Sequence, residues 1–260
     1  MLYITLILAL LLCLNNGLVQ HFDHLRGVHR GSPLQSWPSD AVHHDFIATS
    51  TPGSNVKYYY RSKGMQTSTD DVFVAFVASY RDLDNFLEQH YYQDHSISNY
   101  VDLGTGIGSV LLLTAHANKP LKSLGIEVQP ESAALAKRSI NELPSDSPTI
   151  AIETFDIRQL LNSSVQDDLY VKYNMLKGNV DLITANPPYL PLTSGTHCFD
   201  NQRKLARFEL NGGIEDYCRV AHGLLAPNGR FVFSFWADYS ARVEEALKMH
   251  GMRINRLVKV

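Results

Sequence analysis

From about residue 68 to its end the chain alternates between two hydrophobic rhythms. The stretch opening at Ser68 spaces Val72, Phe73, Phe76, Val77, Tyr80 and Leu83 three or four residues apart, which lines one face of an amphipathic helix. Ser68 and Asp71, at its start, have the spacing of a capping box. Residues 99–104 then read as a short apolar strand ending in glycine, and 108–118 as a helix. A strand over 123–128 leads into a helix over 130–143 with proline in its first turn. Strands follow over 149–156 and 179–188, then a helix over 213–229 closed by Pro-Asn-Gly. A strand over 230–235, a helix over 240–251 and a last strand over 252–260 complete the series. This alternation predicts an α/β fold: a doubly wound, Rossmann-like, mostly parallel sheet with helices on both faces. Ligands of such sheets bind at the carboxyl ends of the strands, near the switch point.

Ahead of residue 68 the rhythm is lost. Residues 21–66 are rich in His, Ser, Pro and Gly, and only 56–62 (VKYYYRS) reads as a strand or hairpin arm. The run from Leu2 to Leu14 is apolar and uncharged, too short for a confident membrane span but of a length that suits a signal peptide. No Lys or Arg precedes Arg26, so a membrane anchor and a misplaced start codon stand beside the targeting reading. Three parts result: a targeting-like segment over 1–20, an irregular region over 21–66, and the α/β domain over 67–260. A real targeting segment implies a mitochondrion, a plastid or the secretory route, without stable membrane association afterwards; otherwise the expectation is cytoplasmic.

Composition excludes little. A net charge of −3 gives no global attraction to nucleic acid, so such a partner has to meet a local basic patch. Cys13, Cys198 and Cys218 lack metal-ligand spacing and are an odd number for a disulfide framework. His21, His24, His29, His43 and His44 show no ligand period, and no metal is expected.

The chemistry gathers at strand ends. Asp102 precedes Gly104, Gly106 and Gly108, a G-x-G-x-G loop between strand and helix where backbone and ligand can approach closely. Ser109 stands where a dinucleotide fingerprint needs glycine. Glu127 ends the next strand about 20 residues on, the interval expected of a carboxylate that holds a ribose diol. Asp156 ends the third, where it can accept from an amino group. The fourth ends in Asn186, Pro187, Pro188 and Tyr189; Asn-Pro starts turns in any protein, so a plain turn is the first reading.

Together, VDLGTGIGS, GIEVQPESAALAKRSI and FDIRQL resemble the cofactor motifs of class I S-adenosylmethionine-dependent methyltransferases over roughly residues 65–260. The resemblance implies that the Gly104–Gly108 loop borders the methionine part of S-adenosyl-L-methionine, Glu127 the ribose and Asp156 the adenine. Asn-Pro-Pro-Tyr is similar to the motif of methyltransferases acting on planar, amide-like nitrogens, whose lone pair is delocalised. Two acceptors aimed at such a nitrogen favour its pyramidal form: the Asn186 side chain and the Pro187 carbonyl. Tyr189 offers a stacking face.

The finer resemblance is to bacterial tRNA (adenine-N6) methyltransferases of the valine-tRNA type. It rests on TSTDDVFVAFVAS at 67–79, on Ala206, Arg207 and Glu209, and on LLAPNGR. It implies RNA as substrate, with Pro188 and Arg207 among the substrate contacts and room for an activating protein partner. Read alone, Thr69 and Asp70 are helix capping and Arg207 with Glu209 a surface ion pair. Cations at 203–207 and 242–260 suit phosphate or a solvated face equally. Two alternatives stay open: a release-factor glutamine methyltransferase, and a non-catalytic scaffold, which has no need of aimed acceptors. The resemblance also implies one more antiparallel edge strand than the sequence supplies before Val260.

Overall fold

A computed structural model describes residues 3–9, 41–47, 55–79, 97–175, 177–191 and 200–259, with backbone alone for 3–9, 41–47, 55 and 56. In chain order the strands and helices are β1 (Tyr3–Ala9), β2 (Ala41–Ile47), β3 (Asn55–Arg61), α1 (Thr69–Ser79), β4 (Asn99–Leu103), α2 (Ser109–Asn118), β5 (Lys122–Glu127), α3 (Pro130–Asn141) and β6 (Ile150–Thr154). Then come α4 (Ser163–Tyr173), β7 (Val180–Ala185), α5 (Asn201–Arg207), α6 (Ile214–Leu224), β8 (Leu225–Trp236), α7 (Ser240–Met249) and β9 (Arg253–Lys259). Seven strands form one sheet in the order β6-β5-β4-β7-β8-β1-β9, with parallel pairing throughout. Strand order reverses at β4, with β5 and β6 on one side and β7 and β8 on the other. A crevice therefore opens beyond the ends of β4 and β7.

Strands apolar along their length must be covered on both faces. Val101, Leu103, Leu124, Ile126, Ile183, Phe231 and Phe233 share one core with Ile214, Tyr217, Cys218 and Ala221 of α6. Tyr100, Leu182 and Val232, from the intervening positions, share the opposite core with Val74 and Val77 of α1, Val110 and Leu111 of α2, and Ala133 and Ala136 of α3. Each large side chain so buried contributes about 1.5–3 kcal/mol. The two-residue period of the strands thus sets which helices lie on which face.

Four findings extend or change the sequence reading. Helices α4 and α5 are additional: α4 buries only Gln166 and Leu169 and α5 only Gln202, so neither carries a visible apolar stripe. The helix expected over 213–229 ends at Leu224, because Pro227 disfavours helical backbone before it. The following residues join β8 through a bulge with Asn228 at φ 69°, between the pairs Val180↔Leu225 and Leu182↔Arg230. Packed structure also reaches back beyond the boundary at 67: β3 pairs with β2 in a hairpin, buries Tyr58, Tyr59 and Tyr60, and bonds α3 through Tyr59 N to Ser139 Oγ at 3.1 Å.

The fourth concerns the sheet edge. Tyr3–Ala9, set apart from the fold by the sequence reading, lies as β1 between β8 and β9 and is parallel to both. A parallel strand from the start of the chain thus occupies the place beside β8, and no antiparallel edge strand is seen among the described residues. Residues 80–96, the predicted continuation of the first helix, and Cys13, Cys198, His21, His24 and His29 lie outside the described residues.

The sheet packs tightly beneath α2. A Cβ at Gly125 in β5 would stand 2.6 Å from Ile152 Cδ1, 2.8 Å from Leu111 Cδ2 and 3.0 Å from Thr105 Cγ2. Gly125→Val is therefore expected to lower stability by about 1–3 kcal/mol through overpacking, read as a lower denaturation midpoint. An unchanged midpoint would mean that sheet and helix lie further apart than this.

Candidate active site

The loop after β4 turns three times through the left-handed region, at Gly104 (φ 69°), Gly106 (φ 57°) and Gly108 (φ 90°). Glycine is needed at each for that reason alone. Their surroundings differ. A Cβ on Gly104 would meet Tyr217 Oη at 2.5 Å, and one on Gly108 would meet Ala136 Cβ at 3.3 Å, whereas Gly106 has nothing within 4 Å. Gly104 and Gly106 line a cavity of about 250 Å³ beyond the strand ends; Gly108 sits behind it as the N-cap of α2.

The acidic strand ends fall into three situations. Glu127 is buried on the cavity wall and accepts from Gly106 N at 2.8 Å and Gln129 N at 2.7 Å, one backbone donor to each oxygen. Each oxygen keeps a lone pair for a hydroxyl donor. Burial raises its pKa against the pull of these donors. Asp102 also reaches the cavity and is almost wholly buried, accepting from Thr105 Oγ1 at 2.5 Å and from Thr184 Oγ1 across the β4–β7 pair. Burial lifts its carboxyl from the usual 3.8 to about 7, against those two hydroxyls. Asp156 is placed differently from the sequence reading. Its carboxylate caps the following turn through Arg158 N at 2.9 Å and is held by the Arg158 guanidinium, which lowers its pKa; Ile157 takes the cavity wall instead.

Asn186 is clamped. Its Nδ2 donates to Asp71 Oδ1 at 2.7 Å and, more weakly, to Ser68 Oγ at 3.4 Å, while its Oδ1 accepts from Ser234 Oγ at 2.6 Å. An ionised carboxylate accepts but cannot donate, so Asp71 fixes which way the amide faces. Of the four hydrogen bonds Asn186 can make, one acceptor lone pair on Oδ1 is left. The same Asp71 completes the capping box of α1: Ser68 N donates to Asp71 Oδ2 at 2.9 Å and Asp71 N to Ser68 Oγ at 3.2 Å. Pro187, Pro188 and Tyr189 line the cavity beside Asn186, and the Pro187 carbonyl accepts no hydrogen bond among the described residues.

Helix α5 closes the opposite side. Gln202 is buried, accepting from Met65 N and donating to Ser132 Oγ, each at 2.9 Å. Arg203 Nε donates to Gly64 O at 2.8 Å, and Arg61 pairs with Asp200 at 3.2 Å and Glu131 at 3.3 Å. Met65, Gln66, Leu205, Ala206 and Arg207 thereby reach the cavity. Arg207 is exposed and does not pair with Glu209, which bonds Arg242 Nη1 at 2.8 Å.

The structure thus gathers Asp102, Gly104, Gly106, Glu127, Asn186, Pro187, Pro188, Tyr189 and Arg207 around one cavity, with Gly108 and Asp156 just outside its lining. Sequence reasoning missed Asp71 as a partner of Asn186, and Ser234, Tyr217 and Gln129 altogether. The capping-box spacing was the one available signal for Asp71.

The chain is similar to several known proteins. A family model described as histone methylation protein DOT1 matches residues 78–186. The chain is 35% identical over 132 residues to the tRNA1(Val) (adenine(37)-N6)-methyltransferase of Porphyromonas gingivalis, covering 50% of this chain and 46% of that one. It is 28% identical over 136 residues to the release factor glutamine methyltransferase of Streptomyces coelicolor, covering 50% and 42%. The chain thus spans about half the length of the curated relatives it matches. It is also similar to the solved structure of Pyrococcus horikoshii TYW2 in complex with MeSAdo, at TM-score 0.47 and 12% identity over 82% of this chain and 62% of that chain.

The Asp102 carboxyl carries a pH signature. A pKa raised by folding contributes stability below about pH 4 that is lost as pH rises through about 7. For this group the difference is on the order of 4 kcal/mol. Asp102→Asn should flatten the decline of unliganded stability between those pH values and be the more stable form at pH 8, measured by chemical denaturation across pH. Parallel pH curves for the two proteins would refute the assignment.

Proposed function

We propose that the chain is an S-adenosyl-L-methionine-dependent N-methyltransferase whose acceptor is the exocyclic amino group (N6) of adenine in RNA, with tRNA the foremost substrate class. The observation that carries this reading is the single open acceptor lone pair on the clamped Asn186 amide, beside the unengaged Pro187 carbonyl. Whatever binds there has to donate. A planar amino group presents two N–H donors, and two fixed acceptors draw them out of plane so that the nitrogen lone pair is freed. Positioning and acceptor electrostatics then do the catalytic work, with no strong base at the nitrogen.

The residues present fit the cofactor. Glu127 has the acceptor capacity for a ribose diol, and Ile107, Val128 and Ile157 give apolar walls for a purine. Asp70, Asp71, Asp102 and Glu127 all have pKa values raised by burial on the cavity wall, an acidic surface that a cationic ligand would relieve. When bound, the cofactor supplies the electrophilic methyl group of a sulfonium. Tyr217 lines the same cavity with its hydroxyl so close to Gly104 that a Cβ there would meet it at 2.5 Å.

The RNA reading is supported by similarity to the P. gingivalis enzyme, and its runner-up, a release-factor glutamine amide, by similarity to the S. coelicolor enzyme. Both acceptors are planar nitrogens. The full chain, given labelled cofactor with unmodified tRNA and with a glutamine-containing release-factor peptide, should form N6-methyladenosine alone. Methylglutamine alone would transfer the assignment to the peptide. Asn186→Ala should lower turnover by about 10²-fold or more while cofactor binding, read by calorimetry, is retained.

Asp71 separates capping from positioning. The capping box asks of residue 71 only an acceptor for Ser68 N, which an Asn side chain also offers, so a purely structural Asp71 would tolerate Asp71→Asn. As the anchor of Asn186 it should not: kcat is expected to fall by about 10²-fold with melting temperature and cofactor affinity nearly unchanged. Full activity in this variant would leave Asp71 a cap and nothing more.

A further inference from the structure

Trp236 ends β8, beside the strand that delivers Tyr189, and 43% of its surface is exposed. It belongs to a closed set of rings. Tyr189 and Trp236 lie 5.4 Å apart at 52°, Trp236 and Tyr239 6.1 Å at 62°, Phe235 and Tyr239 6.3 Å at 65°, and Tyr189 and Phe235 6.4 Å at 82°. Phe235 is the buried member and Trp236 the exposed one. The indole is therefore held from two sides while a large part of it faces water. A ring already ordered by its neighbours loses little entropy when a planar partner stacks on it.

Charge identifies that partner. Arg207 lines the cavity, and Lys204 stands one turn earlier on α5; neither forms an ion pair among the described residues. Tyr189 links rings to cations: it lines the cavity and packs on Trp236. Its neighbour Leu190 donates to Arg207 O at 3.0 Å and accepts from Glu209 N at 3.1 Å. A peptide could cover an indole, but an exposed indole packed on Tyr189, with cations on the helix that bonds to the adjoining Leu190, matches a strand of bases and phosphates.

We propose that Trp236 stacks the base adjoining the target adenine, with phosphates of that strand against Arg207 and Lys204. The substrate is then unpaired or looped RNA at this position, since a base within a helix has no free face to offer. This rests on the RNA reading above and adds a specificity residue to it.

Trp236 is its own reporter. The chain has two tryptophans, so Trp37→Phe in the full-length protein leaves Trp236 alone. Titration with a short unpaired adenosine-containing RNA should quench its fluorescence to saturation, and the same RNA in a perfect duplex should quench far less. Loss of one base–aromatic stack, Trp236→Ala, should weaken unpaired-RNA binding by roughly 5- to 150-fold. The KM for RNA should rise with kcat retained, and Trp236→Phe should keep most of the affinity. RNA that is methylated while Trp236 emission and the Trp236→Ala affinity stay unchanged would overturn the stacking role and leave the RNA reading standing. Methylation of the glutamine peptide with no RNA bound would remove both.

Discussion

A carboxylate taken out of water has to find donors or give up its charge, and Asp71 meets that demand with two partners from different parts of the fold. One oxygen takes a backbone N–H at the start of α1, and the other takes the side-chain amide of Asn186 at the end of β7. Helix and strand end are thereby held in one relation, and the amide has one orientation. Ser234, from β8, holds the other end of that amide. Three elements thus fix a single atom, Oδ1 of Asn186. The switch point of the sheet creates the crevice, and this clamp fixes the amide that lines it.

The same cavity wall holds Asp70, Asp102 and Glu127, each made harder to ionise by burial. Such a concentration of acidic groups is unfavourable in an empty site and favourable around a cation. Crowding them costs stability that a positively charged ligand would restore, a common exchange at sites built for function.

Much of this was legible in sequence because the relevant signals are local. Strand and helix periods, the three left-handed glycines and the acidic strand ends are set by neighbours along the chain, and the tetrapeptide at 186–189 is contiguous. What escaped depends on contacts between distant residues. Ser234 on β8 reads as an ordinary strand serine until Asn186 is brought beside it, and Tyr217 as core until Gly104 is seen beneath its hydroxyl. Asp71 was visible as a cap, since that role needs only Ser68. The partner of Asp156 lies close by in sequence: Arg158, two residues on, holds its carboxylate just outside the cavity lining. Helix α5 escaped because its single buried side chain is a glutamine, bonded to polar groups in two other segments.

The position of β1 bears on how the chain reaches this fold. Tyr3 pairs with Arg230 and with Arg253, so the first described strand joins the last two described strands. Loops that long close slowly, and an apolar run without its neighbours is a ready template for aggregation. Until β8 and β9 have formed, this segment has no partner on either edge. Their formation sequesters it, so the rate at which this side of the sheet folds decides how long an apolar strand stays open to pairing with other chains.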